Sequence, residues 1–506
     1  MAHRKTLLGD GAAARIAPPI IPFDRNEATM GTGHRAILTP LRDAVAAQDI
    51  TAEELLDSAL ARIEEHRDLN AVIALDAEAA RARAIGIDHA ARRGHHLGPL
   101  AGIPVLVKDV ENMRGLPTTC GSVTRADWPP ATEDAGVPAR LRAADGILFG
   151  KTNVPQFGMD AYTDNLVHGV TRNPWREQWS PGGSSGGSAA AIAAGLAGVA
   201  TASDGGGSTR IPAALCGLVA IKPTSGAVPQ TPIRMPMDLS GPAPLACTTA
   251  DLELILRIIC APHPLVRPLP RRQRRWPRRI FAVERVVGSA PLPADVSAAF
   301  ERALRDLCEL AGAEPIRLGR GAVFDGDIYQ DWAHAYAPEG ARNLRDEELD
   351  RLAEHTAPVR DWVELGLSIT FEQNIEGRRR RFDHMRRLDA MLGADAVLVT
   401  PTLTIAGYPA DGRLPGATEP DLPTHLFNTV AFNFTGHPAL TVPAGDIDGF
   451  PFGLQIVGPR LFDYWLLGLA ARWEEAFPWP LTAPGYPPFG PGAPANAGVV
   501  SPSLVG

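Results

Sequence analysis

The sequence predicts an α/β fold, and two observations predict it. Stretches with apolar residues at helical spacing alternate along the chain with short apolar runs of three to five residues, and Gly and Pro mark many of the boundaries. Alternation of that kind layers helices against buried strands. Residues 1–36 read as an irregular arm before the first element. Thr51 and Glu54 then make a capping box, and Leu55, Leu56, Ala59, Leu60 and Ile63 follow at helical spacing. Residues 103–107 (IPVLV) read as a buried strand, 134–145 as a helix ended by Gly146, and 147–149 (ILF) as the next strand. A helix over 188–197 and a strand over 218–221 follow. From 261 to about 280 the composition turns to Pro and Arg (RPLPRRQRRWPRR), which reads as a solvated surface loop. Residues 281–390 read as helical and charged, strands return at 396–399 and 439–443, and the Pro/Gly-rich residues 484–506 read as a mobile tail.

Composition narrows the function. Of 506 residues, 45% are hydrophobic and 21% charged, enough apolar material for a large core. A net charge of −8 argues against a dedicated nucleic-acid binder. No apolar run approaches the roughly 18 residues of a membrane span, and the N-terminus is broken by Gly and Asp before a signal-peptide core could form. Five scattered cysteines without CxxC spacing fit neither structural zinc nor a secreted disulfide scaffold, so the expected setting is the cytoplasm. Of 49 basic residues only Lys5, Lys108, Lys151 and Lys222 are lysines. Arg stays charged in a protein whereas a buried Lys can shed its proton, so a retained lysine can mark a place that needs an amine.

Two Gly/Ser clusters, PGGSSGGS at 181–188 and SDGGGSTRIP at 203–212, bracket an Ala-rich helix. Consecutive glycines let backbone N–H groups converge on a phosphate or on the oxyanion of an acyl transfer. A P-loop at Gly146–Lys151 lacks one residue between its glycines and has strand formers in their place. An α/β-hydrolase elbow, with its nucleophile in Gly182-Gly183-Ser184-Ser185-Gly186, lacks a buried strand before the serine, since NPWREQWSP is polar and broken by proline. The third reading joins Lys108, at the end of the PVLV strand, to Ser208, directly or through Ser184: desolvation favours the neutral amine, which can then deprotonate a serine.

The run GGSSGGSAAAIAAGLAGVATASDGGGSTRIPAALCGLVAIKPT resembles the signature of the amidase signature family of serine hydrolases. PLAGIPVLVKDV, GILFGKTNVPQF, GVTRNPW, FNFTGHPALTVPAG and PFGLQIVGPR resemble the family's other segments in the family's order, over roughly residues 40–480. The resemblance implies a large mixed β-sheet covered by helices on both faces, with a family domain at 37–483 and a variable substrate side at about 226–390. It implies that Ser208 is the nucleophile, Ser184 the bridging serine after a cis peptide bond, and Lys108 the base. The N–H groups of Gly205, Gly206, Gly207 and Ser208 become the oxyanion hole, Asp204 pairs with Arg210 to brace the turn, and Ser185 supports the bridging serine. Lys151 and Lys222 take loop-holding positions.

The triple glycine Gly205–Gly207 departs from many members, which carry another residue at the first place, and resembles the branch with 6-aminohexanoate cyclic-dimer hydrolase and acylamidases. The implied activity is cleavage of a carboxylic amide, with carbamate, anilide or ester bonds open to the same machinery. No cofactor or metal is expected, and the partners expected are a small-molecule amide and, as an assembly to look for, a second copy in a homodimer. An amidotransferase A-type subunit, releasing ammonia from glutamine for a partner, is the alternative, against which Ile211 stands where such subunits usually carry Gln. Specificity is expected from 159–166, 226–240, 320–380 and 404–435, while His168 and His437 read as loop or core residues.

Overall fold

The capping box is the first local expectation met. In the computed structural model the Glu54 N–H donates to Thr51 Oγ1 at 3.0 Å and the Thr51 N–H to Glu54 Oε2 at 2.8 Å, opening a helix over Ala52–Glu65. The structure describes residues 35–232, 238–260, 276–410, 412 and 426–491. Nearly all of the expected arm, the Pro/Arg stretch up to residue 275 and the tail beyond 491 lie outside them. The described residues belong to one unit, Gly33–Gly506.

The expected large mixed sheet is present, and a smaller sheet stands beside it. The smaller has four strands in the order Val72–Leu75, Ile147–Thr152, Pro104–Lys108, Val199–Ala200. Its first pair is antiparallel and the other two are parallel. Pro104–Lys108 is buried along its whole length, which is why its sequence is a continuous apolar run rather than an alternating one. The Ala-rich helix, Gly186–Ala193, packs across this sheet and is buried on every side, as its uniformly small, apolar sequence allows. It begins two residues earlier than its apolar pattern indicates. Gly186 and Gly187 serve close approach there, because a Cβ on Gly187 would stand 2.5 Å from the Asn153 backbone.

The larger sheet has seven strands: Pro315–Arg317, Arg279–Ala282, Ala396–Pro401, Phe450–Val457, Ala439–Ile447, Val219–Lys222 and Leu245–Ala246. The first three run parallel and the remaining pairs are antiparallel, so the sheet is mixed. Successive residues of Ala396–Pro401 go to different cores: Val397 and Val399 join the main cluster with Phe300 and Leu466, while Ala396 and Leu398 join a second one with Trp332, Leu388 and Phe432. Helices thus cover both faces. The charged span 281–390 is mainly helical, over Ala294–Ala311, Ile328–Ala341, Ala357–Ser368 and Phe371–Leu392. Two strands, one at its start and one after its first helix, are not evident in the sequence, because RIFA and PIR are short and partly exposed rather than apolar throughout.

A two-stranded ribbon joins Ser203–Asp204 to Gly241–Pro242, with Asp204 opposite Gly241. It anchors the second Gly/Ser cluster beside the end of the Pro104–Lys108 strand.

Candidate active site

Lys108, the last residue of its strand, is fully buried. Its backbone N–H donates to Thr201 Oγ1 at 2.8 Å, and its Nζ donates to Ser184 Oγ and Ser185 Oγ, both at 2.8 Å, and to Ser203 Oγ at 3.0 Å. Ser184 and Ser185 come from the turn that enters the Ala-rich helix, so helix packing on the sheet delivers them to the lysine. The Gly183–Ser184 peptide is cis. Residues leading into Ser184 form turns and no strand, which removes the structural basis of a nucleophile elbow. The Gly146–Lys151 run lies in and beside the Ile147–Thr152 strand, as its apolar residues require, and makes no phosphate loop. The Ser185 hydroxyl is not aimed at the bridging serine: it meets Lys108 Nζ and the Ser203 carbonyl.

The glycine turn is held from beneath. Arg210 Nε donates to Asp204 Oδ2 at 2.9 Å and Nη2 to Oδ1 at 2.8 Å, with both side chains fully buried. Nη1 reaches the Thr429 carbonyl and Gln455 Oε1, and Nη2 also reaches Asn433 Oδ1, so all five guanidinium protons have acceptors. A buried pair needs such saturation, because its desolvation penalty can exceed its attraction. Burial alone would raise the Asp204 carboxyl, but the Arg210 guanidinium and the Asn433 amide outweigh it and hold its pKa well below the usual carboxylate range. Burial, with repulsion from Arg210, pushes the nearby Lys222 amine down to about 7.

Asp204 Oδ1 also takes the Gly207 N–H at 2.8 Å. Gly207 has φ of +133°, and a side chain there would run into Thr429, so this position admits only glycine. Among the described residues the amides of Gly206 and Ser208 make no hydrogen bond within the protein.

Lys108, Ser184, Ser203, Gly205 and Ser208 line one cavity of about 300 Å³. That is the lower end of small-ligand pockets. Ser208 is partly exposed to it, and no hydrogen bond joins the Ser208 and Ser184 hydroxyls among the described residues. Val110, Trp128, Val137, Phe157 and Met159 give the cavity apolar lining, and Gln230, Ser240, Tyr336 and Asn343 give it polar lining. Arg125 also lines it, but its charge is paired bidentately with Glu348 at 2.7 and 2.8 Å and its plane lies between the Trp128 and Phe157 rings.

With this geometry, similarity to known proteins becomes decisive. The amidase family pattern matches residues 54–467. The chain belongs to the amidase family. As a member it is an amide-hydrolysing enzyme. It is 33% identical to an acylamidase of Rhodococcus erythropolis over 475 residues, covering 88% of this chain and 96% of that one. It is also 32% identical over 475 residues to the A-type subunit of glutamyl-tRNA(Gln) amidotransferase from Synechococcus sp. (strain CC9605), covering 86% and 95%. The solved structure of 6-aminohexanoate cyclic dimer hydrolase complexed with substrate superposes with a TM-score of 0.78 at 26% identity, covering 89% of this amidase and 99% of that chain.

The specificity segments of this amidase divide. Met159, the Pro229–Pro232 run, Ser240, Tyr336 and Asn343 reach the cavity, so three of the four expected segments contribute. None of the described cavity lining comes from 404–435, of which residues 411 and 413–425 lie outside the described set. His168 and His437 are not in the lining either; His437 is fully buried near Asp389. Sequence reasoning missed Ser203, Gly158 and the Arg125–Trp128 loop. Ser203 was legible as a hydroxyl within the second Gly/Ser cluster, and Gly158 only from space: a Cβ there would stand 3.2 Å from Ser184 Oγ. No helix among the described residues is long and apolar enough to cross a membrane.

Proposed function

We propose that the protein hydrolyses a small-molecule carboxylic amide through Ser208, Ser184 and Lys108, by way of an acyl-enzyme. The observation that carries this reading is the 2.8 Å hydrogen bond between Lys108 Nζ and Ser184 Oγ in the cavity that Ser208 lines. Ser208 Oγ attacks the carbonyl carbon while its proton passes through the Ser184 hydroxyl to Lys108 Nζ, which in its neutral form accepts from Ser184 and donates to Ser185 and Ser203. Substrate binding closes the Ser208–Ser184 gap, as catalytic hydrogen bonds often tighten only in the complex. With the Gly207 amide given to Asp204, those of Gly205, Gly206 and Ser208 remain for the oxyanion. Loss of one such donor costs about a hundredfold or more in rate. Collapse breaks the C–N bond, and the leaving amine takes the proton back from Lys108 through Ser184. Water then cleaves the acyl ester by the same relay. Carbamates, anilides and esters present the same carbonyl to the same groups. The reading includes a cytoplasmic enzyme that assembles as a homodimer.

The amidotransferase reading draws support from the Synechococcus relative. It predicts glutaminase activity that depends on an added partner. Ile211 speaks against it, and in the fold it is fully buried, with its methyl groups against Gly182 and Gly207. The deciding experiment is mass-spectrometric mapping of a fluorophosphonate adduct. A Ser208 adduct that disappears in Lys108→Ala supports the relay, whereas an adduct on Ser184 or Ser185 overturns these roles.

A further inference from the structure

Gly205 opens the oxyanion turn, and the fold shows what takes up the space beside it. A Cβ built on Gly205 would stand 2.9 Å from the Tyr336 hydroxyl and 3.1 Å from Ser240. Tyr336 lies on the Ile328–Ala341 helix and lines the same cavity as Ser208. Its ring is fixed by neighbours: Trp332 at 4.6 Å and Trp362 at 6.0 Å between centroids, with Trp332 and Trp362 themselves edge to face at 5.4 Å. A ring held in that way places its one polar atom reproducibly. Among the described residues nothing hydrogen-bonds to this hydroxyl. Burial and the nearby Asp204 carboxylate push its pKa up to about 12, so the phenol is a donor at neutral pH.

We propose that Tyr336 is a specificity-determining residue whose hydroxyl donates a hydrogen bond to an acceptor atom on the acyl group of the substrate, in space that exists because residue 205 is glycine. The hydroxyl stands 2.9 Å from where the first side-chain atom of residue 205 would be, beside the oxyanion turn, so it faces the part of the acyl chain next to the reacting carbonyl. Acyl groups with an ether, hydroxyl or carbonyl oxygen close to the amide are therefore preferred over their hydrocarbon isosteres. A buried donor facing an isostere that cannot accept is left unsatisfied, and that discriminates more strongly than shape does. The proposal rests on the hydrolase reading above.

The test compares p-nitrophenyl methoxyacetate with p-nitrophenyl butyrate, which differ by an oxygen in place of a methylene. In Tyr336→Phe, which keeps the aromatic stack, the ratio of kcat/KM for methoxyacetate over butyrate falls about tenfold, carried mainly by KM, at an unchanged melting temperature. Gly205→Ala lowers the ratio to the same value by displacing the hydroxyl, and the double variant lowers it no further. A ratio unchanged in Tyr336→Phe overturns the proposal while leaving the hydrolase reading intact. Ester turnover that survives Ser208→Ala, or a fluorophosphonate that leaves Ser208 unlabelled, overturns the hydrolase reading itself.

Discussion

Lys108 and Lys151 lie on neighbouring parallel strands, one register position apart, and both are fully buried. Lys151 stands opposite Val107, so the pleat sends the two amines to opposite faces of the sheet. There they meet different company. Lys151 Nζ lies 3.0 Å from Asp109 Oδ1 and donates to the Glu111 carbonyl at 2.7 Å and to Thr118 Oγ1 at 3.1 Å. Lys108 Nζ meets the hydroxyls of Ser184, Ser185 and Ser203. A carboxylate and a carbonyl tie Lys151 into the fold, whereas hydroxyls can give or take a proton. The same residue type in the same sheet is a strut on one face and a candidate base on the other.

The largest expected effect separates the two directly. Lys108→Met lowers kcat/KM about a thousandfold while the urea midpoint holds or rises, because a buried amine gives way to an apolar chain. A variant that unfolds yet turns over normally when folded would reverse the assignment. Asp109→Asn should do the opposite, costing about 3–5 kcal/mol in urea unfolding by leaving the Lys151 charge uncompensated, with kcat retained below the melting temperature. A loss under about 1 kcal/mol would show that the carbonyl and hydroxyl acceptors suffice for Lys151.

Lys222 sharpens the contrast as a third case, since it donates to the Pro223 carbonyl at 2.7 Å and is pushed down to about 7 by burial and Arg210. Between that value and the unfolded lysine's pKa of about 10.4 the unfolded chain binds the extra proton, so stability rises with pH across this window. The burial penalty is full below about 7 and gone above the unfolded value. Wild type should therefore gain on Lys222→Met between pH 7 and 10, read from paired denaturation curves, and parallel curves would refute the shift. The smallest effect belongs to Ser203→Ala, which removes one of the Lys108 acceptors and should cut kcat about tenfold with KM unchanged. A change in KM alone would make Ser203 a wall of the pocket rather than part of the relay.

Local chemistry was the part most readily read from the residues. The Thr51–Glu54 box, the 103–107 strand, the Ala-rich helix and the Asp204–Arg210 pair stand where pattern or resemblance puts them, because each is decided by neighbours close in sequence or by a long specific motif. Resemblance also named Lys108, Ser184 and Ser208, which the fold brings to a single cavity.

The tertiary structure alone decided the smaller second sheet, the half-buried strand at 279–282 with the edge strand at 315–317 beside it, and the turning of the Ser185 hydroxyl toward Lys108. It also decided that the Gly207 amide belongs to Asp204 and that Tyr336, far away in the sequence, fills the space beside Gly205. The sequence carries the residue types and their local periodicity. Which hydroxyl faces which amine, and whose side chain takes the room a glycine leaves, depends on contacts between distant segments that exist only once the two sheets and their helices have packed.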